Sequence, residues 1–311
     1  MDMRALLVVN PKATTTSERT RDVLAHALAG DLKLDVVATE HRGHAAELAR
    51  QATDDGLDLV IALGGDGTVN EVANGLLAAG PAPSLPAVAV VPGGSTNVFA
   101  RSLGMPNDPV EATGLLLEAL RAGRSREIGL GLADERWFLF CAGLGFDAEV
   151  IGRVEERRAG GRRATPGLYV RSAVRRFYGG RDTRRHGPLT LEVPGAEPIE
   201  GIRLGIVQNT VPWTFLRNRP VNPCPQASYD TGLDLFALTR MSTLPTLRHL
   251  ARMLGSTGNA PHGRHVVSLH DCDAFTLRTE EPVSLQVDGD HLGEHRSVTF
   301  RGVPRALRVI V

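Results

Sequence analysis

The sequence predicts two domains, an open and mostly parallel α/β domain followed by an antiparallel β-rich domain. Its 311 residues exceed the usual size of one compact domain. At the start of the chain, strand-length apolar segments alternate with helical segments, which is typical of a parallel sheet with right-handed crossovers. Further on, short β-like segments are separated by Gly, Pro and Asp, which favours antiparallel strands. We place the domains at residues 1–127 and 128–311, with the last strand a candidate to return to the N-terminal domain.

Each predicted element follows from its hydrophobic pattern. The continuous apolar run at residues 5–9 suits a strand that is covered on both faces. The N-terminal domain continues with strands at 34–39, 57–63 and 86–91 and with helices at 17–29, 44–52, 68–79, 97–103 and 109–122. In the C-terminal domain we predict strands at 126–132, 137–141, 189–193, 202–208, 233–237, 274–278, 283–287 and 297–300.

Composition limits the class of protein. Hydrophobic residues make up 42% of the chain and charged residues 23%, which is the mix of a soluble globular protein. Because 35 basic residues cancel 35 acidic ones, we expect no nucleic-acid partner. The three cysteines are widely spaced and form no CxxC pair, and the sequence has neither a membrane-length apolar run nor a signal peptide. These features predict a cytoplasmic protein.

The strongest motif is Gly64-Gly65-Asp66-Gly67-Thr68, which lies directly after an apolar strand and before a helix. Glycines lack Cβ atoms, so backbone N–H groups can approach phosphate oxygens, and the helix aims its positive end at the same point. A carboxylate there would repel phosphate unless Mg²⁺ intervenes, so we assign Asp66 as a metal ligand and catalytic residue. We expect Asp66→Asn to remove activity with little change in stability. The alternative is a tight turn in which Asp66 caps the helix.

A second glycine turn, PGGSTN at residues 92–97, again joins a strand end to a helix start. The carboxyl ends of neighbouring parallel strands line one crevice, so both turns can face the same ligand. Asn10-Pro11 ends another strand on this edge, although Asn-Pro alone is an ordinary turn. Lys12, one of two lysines in the chain, is placed there to meet a phosphate.

Other nucleotide-binding motifs are missing or out of context. The chain has no GxxxxGK[ST] loop and no VAIK, HRD or DFG set, which excludes a Walker-type NTPase and a protein kinase. Residues 143–148 match GxGxxA, which in another context is a dinucleotide-binding fingerprint. They lie in the β-rich half without a following parallel strand and acidic residue, so this interpretation is the minor one.

Taken together, the motifs resemble those of the diacylglycerol kinase and sphingosine kinase superfamily. The matching segments, in the same order along nearly the whole chain, are Asn10-Pro11, GGDGTVNE at 64–71, PGGSTNVFAR at 92–101, GLGFDA at 143–148 and Asp288-Gly289-Asp290. The GGDG core is also shared with NAD kinases and 6-phosphofructokinases. The resemblance implies an ATP-binding α/β domain of that type, a β-sandwich domain that binds lipid, and an interdomain cleft where the γ-phosphate passes to a lipid hydroxyl.

The resemblance, together with the position of Lys12, gives the site residues. The predicted nucleotide contacts are Asn10, Lys12, Thr39, Gly64, Gly65, Asp66, Gly67, Thr68, Val69, Asn70, Gly94, Ser95 and Asn97. The general base of bacterial relatives lies in a DGE-like turn, which here is Asp288-Gly289-Asp290. The sequence does not decide between Asp288 and Asp290 as the base. By itself this segment is also typical of a β-hairpin tip.

Two positions depart from the family pattern. Val98 follows the asparagine of the second glycine turn, where relatives commonly have Asp, so a carboxylate near the nucleotide magnesium is lost. Thr231 precedes a glycine at a point where bacterial relatives place an Asp that binds a structural magnesium. Asp230 and Asp234 are candidate substitutes, and we assign no second metal.

We therefore predict an ATP- and Mg²⁺-dependent lipid kinase that phosphorylates a hydroxyl of a diacylglycerol-like or sphingoid-like lipid. An NAD kinase-like enzyme with a soluble substrate and a non-catalytic nucleotide-binding regulator stay open as alternatives. Eleven arginines against three acidic residues at 153–187 predict a basic amphipathic helix that holds the protein on the inner face of an anionic membrane. The same pattern also suits a solvated helix face. A homodimer is left open.

Overall fold

The computed structural model describes residues 2–13, 17–145, 187–255 and 260–311. The second half of the GxGxxA match and nearly all of the arginine-rich segment at 153–187 lie outside these ranges. The chain divides into two compact units, one formed by Met1–Leu130 with Pro304–Val311 and the other by Gly131–Val303. The C-terminal end of the chain therefore belongs to the same unit as its N-terminal residues.

The N-terminal unit is built on a parallel sheet, as the sequence predicts. Its strands β1 to β4 are hydrogen-bonded in the order β4-β3-β1-β2, and they are Arg4–Val9, Lys33–Ala38, Leu59–Gly64 and Ala87–Pro92. Beside β4, Val309 pairs in parallel with Val88. Every residue of β3 and β4 is buried, which is why both strands appear in the sequence as unbroken apolar runs.

Helices alternate with these strands along the chain. They are α1 (Glu18–Ala29), α2 (His44–Asp54), α3 (Asp66–Leu76), α4 (Val98–Ser102) and α5 (Pro109–Arg121). The side chains of Ser17 and Asp108 accept backbone N–H bonds at the starts of α1 and α5. Helix α3 begins two residues earlier than predicted and so includes Asp66 in its first turn. Among the described residues, no helix has the length and hydropathy that a membrane span requires.

Antiparallel strands dominate the C-terminal unit, which confirms the predicted β-rich fold. Strands β5 to β16 are, in order, Ser125–Ala133, Arg136–Phe138, Cys141–Gly145, Leu189–Glu192, Ile199–Ile202, Leu204–Gln208, Thr214–Leu216, Arg219–Val221, Leu233–Leu238, Val266–Cys272, Ala274–Val287 and Asp290–Ile310. Strand β5 begins, and β16 ends, in the N-terminal unit. Helix α6 (Thr243–Met253) follows β13.

Side chains of the central strands β10 and β13 alternate between two apolar clusters. Val207 and Leu235 belong to one cluster. Ile206 and Phe236 belong to the other, which also contains Met253 of α6. Helix α6 therefore packs on the second face of this sheet.

Four predicted strands are divided differently in the structure. The segment 137–141 is not one strand, because β6 ends at Phe138 and β7 begins at Cys141. The segment 202–208 is interrupted between β9 and β10. Conversely, the two short strands predicted at 274–278 and 283–287 form the single strand β15. The sequence pattern also did not predict α6.

Candidate functional site

The first glycine turn lies where β3 passes into α3. Gly65 is the N-cap of α3, and its carbonyl oxygen accepts hydrogen bonds from the backbone N of Thr68 at 3.0 Å and of Val69 at 3.2 Å. The three residues at the centre of the turn, 65–67, are partly exposed, whereas the residues on either side are buried. The first turn of α3 therefore reaches the surface with backbone N–H groups at the positive end of the helix.

The second glycine turn packs directly against the first. The backbone N of Gly93 donates to the carbonyl oxygen of Gly64 at 2.8 Å. A Cβ atom on Gly94 would lie 2.7 Å from the Cα of Gly65, closer than real Cβ contacts come. These glycines are therefore required by the approach of two backbones to each other, a reason that the sequence did not reveal.

Asp66 joins the two turns. Its Oδ2 accepts a hydrogen bond from the backbone N of Val98 and its Oδ1 accepts one from the backbone N of Phe99, both at 3.0 Å. The carboxylate thus caps α4, which is the helix after the second turn. Burial lowers the pKa of the nearby Arg101 guanidinium, and the charge of Asp66 opposes that shift. Because these bonds hold two segments together, we now expect Asp66→Asn to lower stability as well as activity.

Two predicted nucleotide contacts hold the turns with their side-chain amides. Asn97 has a φ of 50°, and its Oδ1 accepts from the backbone N of Gly94 at 2.8 Å while its Nδ2 donates to Asn107 Oδ1 at 2.8 Å. Asn10 Nδ2 donates to Thr68 Oγ1 at 3.0 Å. Asn97 is 2% exposed, so its amide serves the turn.

The remaining predicted contacts surround this pair of turns at the carboxyl edge of the sheet. Asn10 and Thr39 follow β1 and β2, and their backbone N atoms donate to the strands beside them, to Leu63 and Val9 respectively. Lys12 and Ser95 are exposed. Val69 and Asn70 are instead buried on α3. The structure thus brings the strand ends together, but it places Val69 and Asn70 in the interior.

Glu71 belongs to the same edge and was not among the predicted site residues. Its carboxylate accepts hydrogen bonds from the backbone N of Gly43 at 2.9 Å and of Ala45 at 3.3 Å, at the start of α2. A carboxylate at a helix N-terminus is stabilised by the helix dipole. The available signal was its position five residues after Asp66, at the end of the GGDGTVNE segment.

In the C-terminal unit, Asp288 and Gly289 form the tip of the hairpin between β15 and β16. Their φ values of 48° and 86° are those of a two-residue type I′ turn, so the hairpin interpretation describes the backbone correctly. The side chain of Asp288 is nevertheless buried, with 6% exposure.

The Asp288 carboxylate accepts three backbone hydrogen bonds. The donors are Leu139 N at 2.7 Å and Phe140 N and Cys141 N at 3.0 Å. These residues lie at the break between β6 and β7, the break that the predicted strand 137–141 lacked. The carboxylate satisfies N–H groups that an interrupted sheet would leave unpaired.

Buried amide side chains extend this polar cluster. Asn209 Nδ2 donates to the carbonyl oxygen of Leu139 at 2.9 Å, and Gln286 Oε1 accepts from the backbone N of Gly289 at 3.0 Å. Gln208 accepts from the backbone N of Cys224 at 2.8 Å. These three amides are at most 1% exposed. In the sequence these amides lie at or next to the ends of apolar strands, but this pattern alone did not mark them as functional residues.

Asp290 lies on the other side of the turn from Asp288. It begins β16, pairs with Val287 across the hairpin and is partly exposed. The two carboxylates of the predicted base-bearing turn are therefore in different environments, one buried among backbone donors and one accessible.

Asp234, one of the two candidate substitutes for a second metal site, has partners within the protein. Asp234 is 2% exposed, and its Oδ1 lies 2.9 Å from His270 Nδ1 and 3.1 Å from Asp271 N. Burial raises the pKa of Asp234. Among the described residues, no group of three or more His, Cys, Asp or Glu side chains could hold a metal ion.

Gly143 and Gly145 lie inside strand β7, which pairs antiparallel with β10 and β15. A dinucleotide fingerprint requires these glycines in a turn between a strand and a helix. The described part of the GxGxxA segment therefore does not form such a site.

The chain thus contains a parallel α/β unit whose two glycine turns meet at one sheet edge, and an antiparallel β unit, which is the architecture that the motif resemblance implies. Comparison with known proteins agrees. Residues 4–133 match the diacylglycerol kinase catalytic domain. The match covers the N-terminal part of the chain, and it confirms the resemblance drawn from the motifs.

Relatives extend the similarity beyond this domain. The chain is 28% identical to a probable lipid kinase YegS-like protein of Chromohalobacter salexigens, over 91% of this chain and 86% of the relative. It is 29% identical to a protein of the same description from Stenotrophomonas maltophilia, over 97% and 94%. A diacylglycerol kinase of Staphylococcus aureus is 35% identical, over 47% of this chain and 44% of that relative.

Solved structures share the fold. A diacylglycerol kinase from Bacillus anthracis superposes with a TM-score of 0.69 at 20% identity, over 99% of this chain and 96% of that chain. Another structure from the same organism has a TM-score of 0.76 at 23% identity, over 99% and 97%. The predicted fold class is thereby confirmed.

Proposed function

We propose that the protein is an ATP- and Mg²⁺-dependent lipid kinase that transfers the γ-phosphate to a hydroxyl of diacylglycerol. The observation that carries this proposal is the pair of glycine turns, packed on each other and linked by Asp66 at the carboxyl edge of a parallel sheet. Open α/β sheets bind ligands at this edge. The family match of residues 4–133 supports phosphoryl transfer as the reaction.

The nucleotide phosphates would bind at the first turn of α3. Partly exposed glycines at 65 and 67 let the backbone approach, and the helix dipole favours negative charge there. Lys12 and Ser95 are exposed and supply a cation and a hydroxyl near the same strand ends. These groups fit a polyphosphate.

Asp66 is the residue that would hold magnesium. Its carboxylate lies where the two glycine turns meet, and it accepts backbone hydrogen bonds from Val98 and Phe99 there. Magnesium typically uses one or two carboxylates, with water and substrate phosphates as the other ligands. The ion would neutralise charge on the transferring phosphate. The single carboxylate of Asp66 is therefore compatible with a bound magnesium ion.

We assign Asp290 as the general base. Asp288 accepts three backbone hydrogen bonds in a buried position, which stabilise it as a fixed carboxylate that organises the break between β6 and β7. Asp290 is partly exposed, so a substrate hydroxyl can reach it. Its role would be to accept the hydroxyl proton as the oxygen attacks phosphorus.

Diacylglycerol is the preferred acceptor because the 35% identical relative from Staphylococcus aureus is named a diacylglycerol kinase. Such a lipid stays in a bilayer, so the enzyme would work at the inner face of the membrane, where ATP is available. Sphingoid bases and NAD are the competing acceptors.

The test is a transfer assay with γ-labelled ATP and three acceptors: diacylglycerol and sphingosine in mixed micelles, and NAD in solution. We expect label in the diacylglycerol product, and a fall of about 10²- to 10⁴-fold in kcat for Asp290→Asn. Gly114→Ala is the matched control, since Gly114 lies on α5 and a methyl group added there would have open space within 4 Å. Label in NAD alone, or full activity of Asp290→Asn, would contradict the proposal.

A further inference from the structure

Helix α6 carries its leucines on the side that faces away from the sheet. Leu244, Leu247 and Leu250 recur every three residues, and they are 59%, 57% and 44% exposed. Residues at this spacing lie along one face of a helix. An amphipathic helix of a globular protein ordinarily turns such a stripe towards the core.

The opposite face of α6 is comparatively polar. Thr246, His249 and Met253 lie on it at helical spacing, and Met253 is buried in the apolar cluster that contains Phe236. The His249 ring packs edge-on against the Phe236 ring, with centroids 6.2 Å apart. Burial lowers the pKa of His249, which favours its neutral form. The helix therefore uses a threonine, a histidine and a methionine for packing and leaves its leucines on the outside.

The sequence around the leucine stripe is basic. Between Asp234 and Asp271 the chain has no Asp or Glu, and it has four arginines: Arg240, Arg248, Arg252 and Arg264. Arg240 and Arg248 are exposed, and Arg252 is fixed by a hydrogen bond of 3.0 Å from its Nη1 to the carbonyl oxygen of His262. Charge of one sign therefore flanks the exposed apolar stripe.

We propose that α6 is a membrane-docking helix, which inserts Leu244, Leu247 and Leu250 into the interfacial layer of an anionic bilayer while the flanking arginines bind lipid headgroups. Helices with leucines on one face and arginines beside them bind at the lipid-water interface. Anionic lipid attracts each basic side chain near its surface. The helix has 11 residues, so it would lie in the interface and not cross the bilayer.

The residues that form this surface, 240–252, do not overlap in sequence with the arginine-rich segment at 153–187. Delivery of the lipid acceptor through this surface rests on the proposed function, whereas bilayer binding does not. The two can therefore fail independently.

The experiment is vesicle co-sedimentation of the full chain with phosphatidylcholine vesicles, with and without phosphatidylglycerol. The variant carries Leu244→Gln, Leu247→Gln and Leu250→Gln, which preserve helix-forming side chains. Each change should lower the partition coefficient about fivefold, and the triple change about 100-fold, because apolar area no longer enters the membrane. The matched control is Val23→Gln, since Val23 on α1 is 59% exposed, as is Leu244.

Arg240→Gln with Arg248→Gln should lower binding to anionic vesicles by about 25-fold, with a smaller effect at high salt. Circular dichroism checks that each variant is folded. Unchanged partitioning of the triple leucine variant would overturn the proposal. So would a shift of that variant to a smaller species in lipid-free sedimentation with unchanged vesicle binding, because the stripe would then be an interface between two copies.

Activity on micellar diacylglycerol separates this inference from the proposed function. We expect the triple leucine variant to keep its activity on micelles and to lose it on vesicles. A wild-type chain that binds anionic vesicles but phosphorylates no lipid would refute the proposed function and leave the docking helix supported.

Discussion

Replacing Asp288 by Asn should destabilise the protein more than the same change at Asp290. The Asp288 carboxylate accepts three backbone hydrogen bonds, two at Oδ1 and one at Oδ2, in a buried position. An amide keeps one acceptor oxygen. In its best orientation it retains the two bonds at 3.0 Å and turns its NH₂ group towards the Leu139 N–H, which then has no acceptor.

The cost can be estimated from these contacts. A hydrogen bond to a charged acceptor contributes about 1.5–3 kcal/mol, and leaving a buried N–H unsatisfied costs about 1–3 kcal/mol. Since the lost bond and the unsatisfied donor are partly the same effect, we expect a loss of about 3 kcal/mol for Asp288→Asn. Asp290 is partly exposed, and its replacement should cost less than about 1 kcal/mol.

Urea denaturation followed by circular dichroism measures both values on the full chain. Activity should show the reverse ranking per folded molecule, with Asp290→Asn the more severe change. An Asp288→Asn protein as stable as the wild type would refute the structural role of this carboxylate. Equal losses of stability in the two variants would refute the distinction between them.

Three further outcomes follow from the N-terminal turns and from the buried carboxylate of β13. Asp66→Asn should lower the free energy of unfolding by about 1–2 kcal/mol, because one of its bonds to the start of α4 is lost. It should also lower the ATP affinity measured by calorimetry. A variant impaired only in turnover would contradict this expectation. Gly94→Ala should weaken ATP binding and lower the melting temperature, since its methyl group would meet the Cα of Gly65 at 2.7 Å, whereas Gly114→Ala should raise stability by up to about 1 kcal/mol. Burial raises the pKa of Asp234 above its usual value. The carboxyl therefore contributes stability at low pH, and this contribution is lost as the pH rises through the raised pKa. Urea denaturation at a series of pH values should show this dependence in the wild type and not in Asp234→Asn.

Much of the N-terminal unit was predictable because its strands β3 and β4 are buried on both faces. Strands β3 and β4 are apolar throughout, and the glycine turns follow them directly. The resemblance of these turns to a kinase family was equally visible. What Asp66 binds was not, because its partners Val98 and Phe99 lie more than 30 residues away in the chain.

The C-terminal unit was less predictable, again because its important contacts join residues that are far apart in the sequence. The break between β6 and β7 depends on Asp288, which is 149 residues from Leu139 along the chain. No local pattern encodes such a contact. Helix α6 was missed because Pro245 lies in its first turn and because its leucine stripe faces outward. A proline in the first turn of a helix is nevertheless tolerated.

The most direct test of the central claim is the mass of the phosphorylated product. The full chain is incubated with γ-¹⁸O-labelled ATP, magnesium and a cellular lipid extract, and the lipids are analysed by tandem mass spectrometry. We predict a labelled phosphatidic acid whose acyl chains match those of diacylglycerols in the extract, and its rate of formation should be about 10²- to 10⁴-fold lower with Asp290→Asn. A labelled lipid other than phosphatidic acid, or ATP binding without any labelled product, would contradict the account.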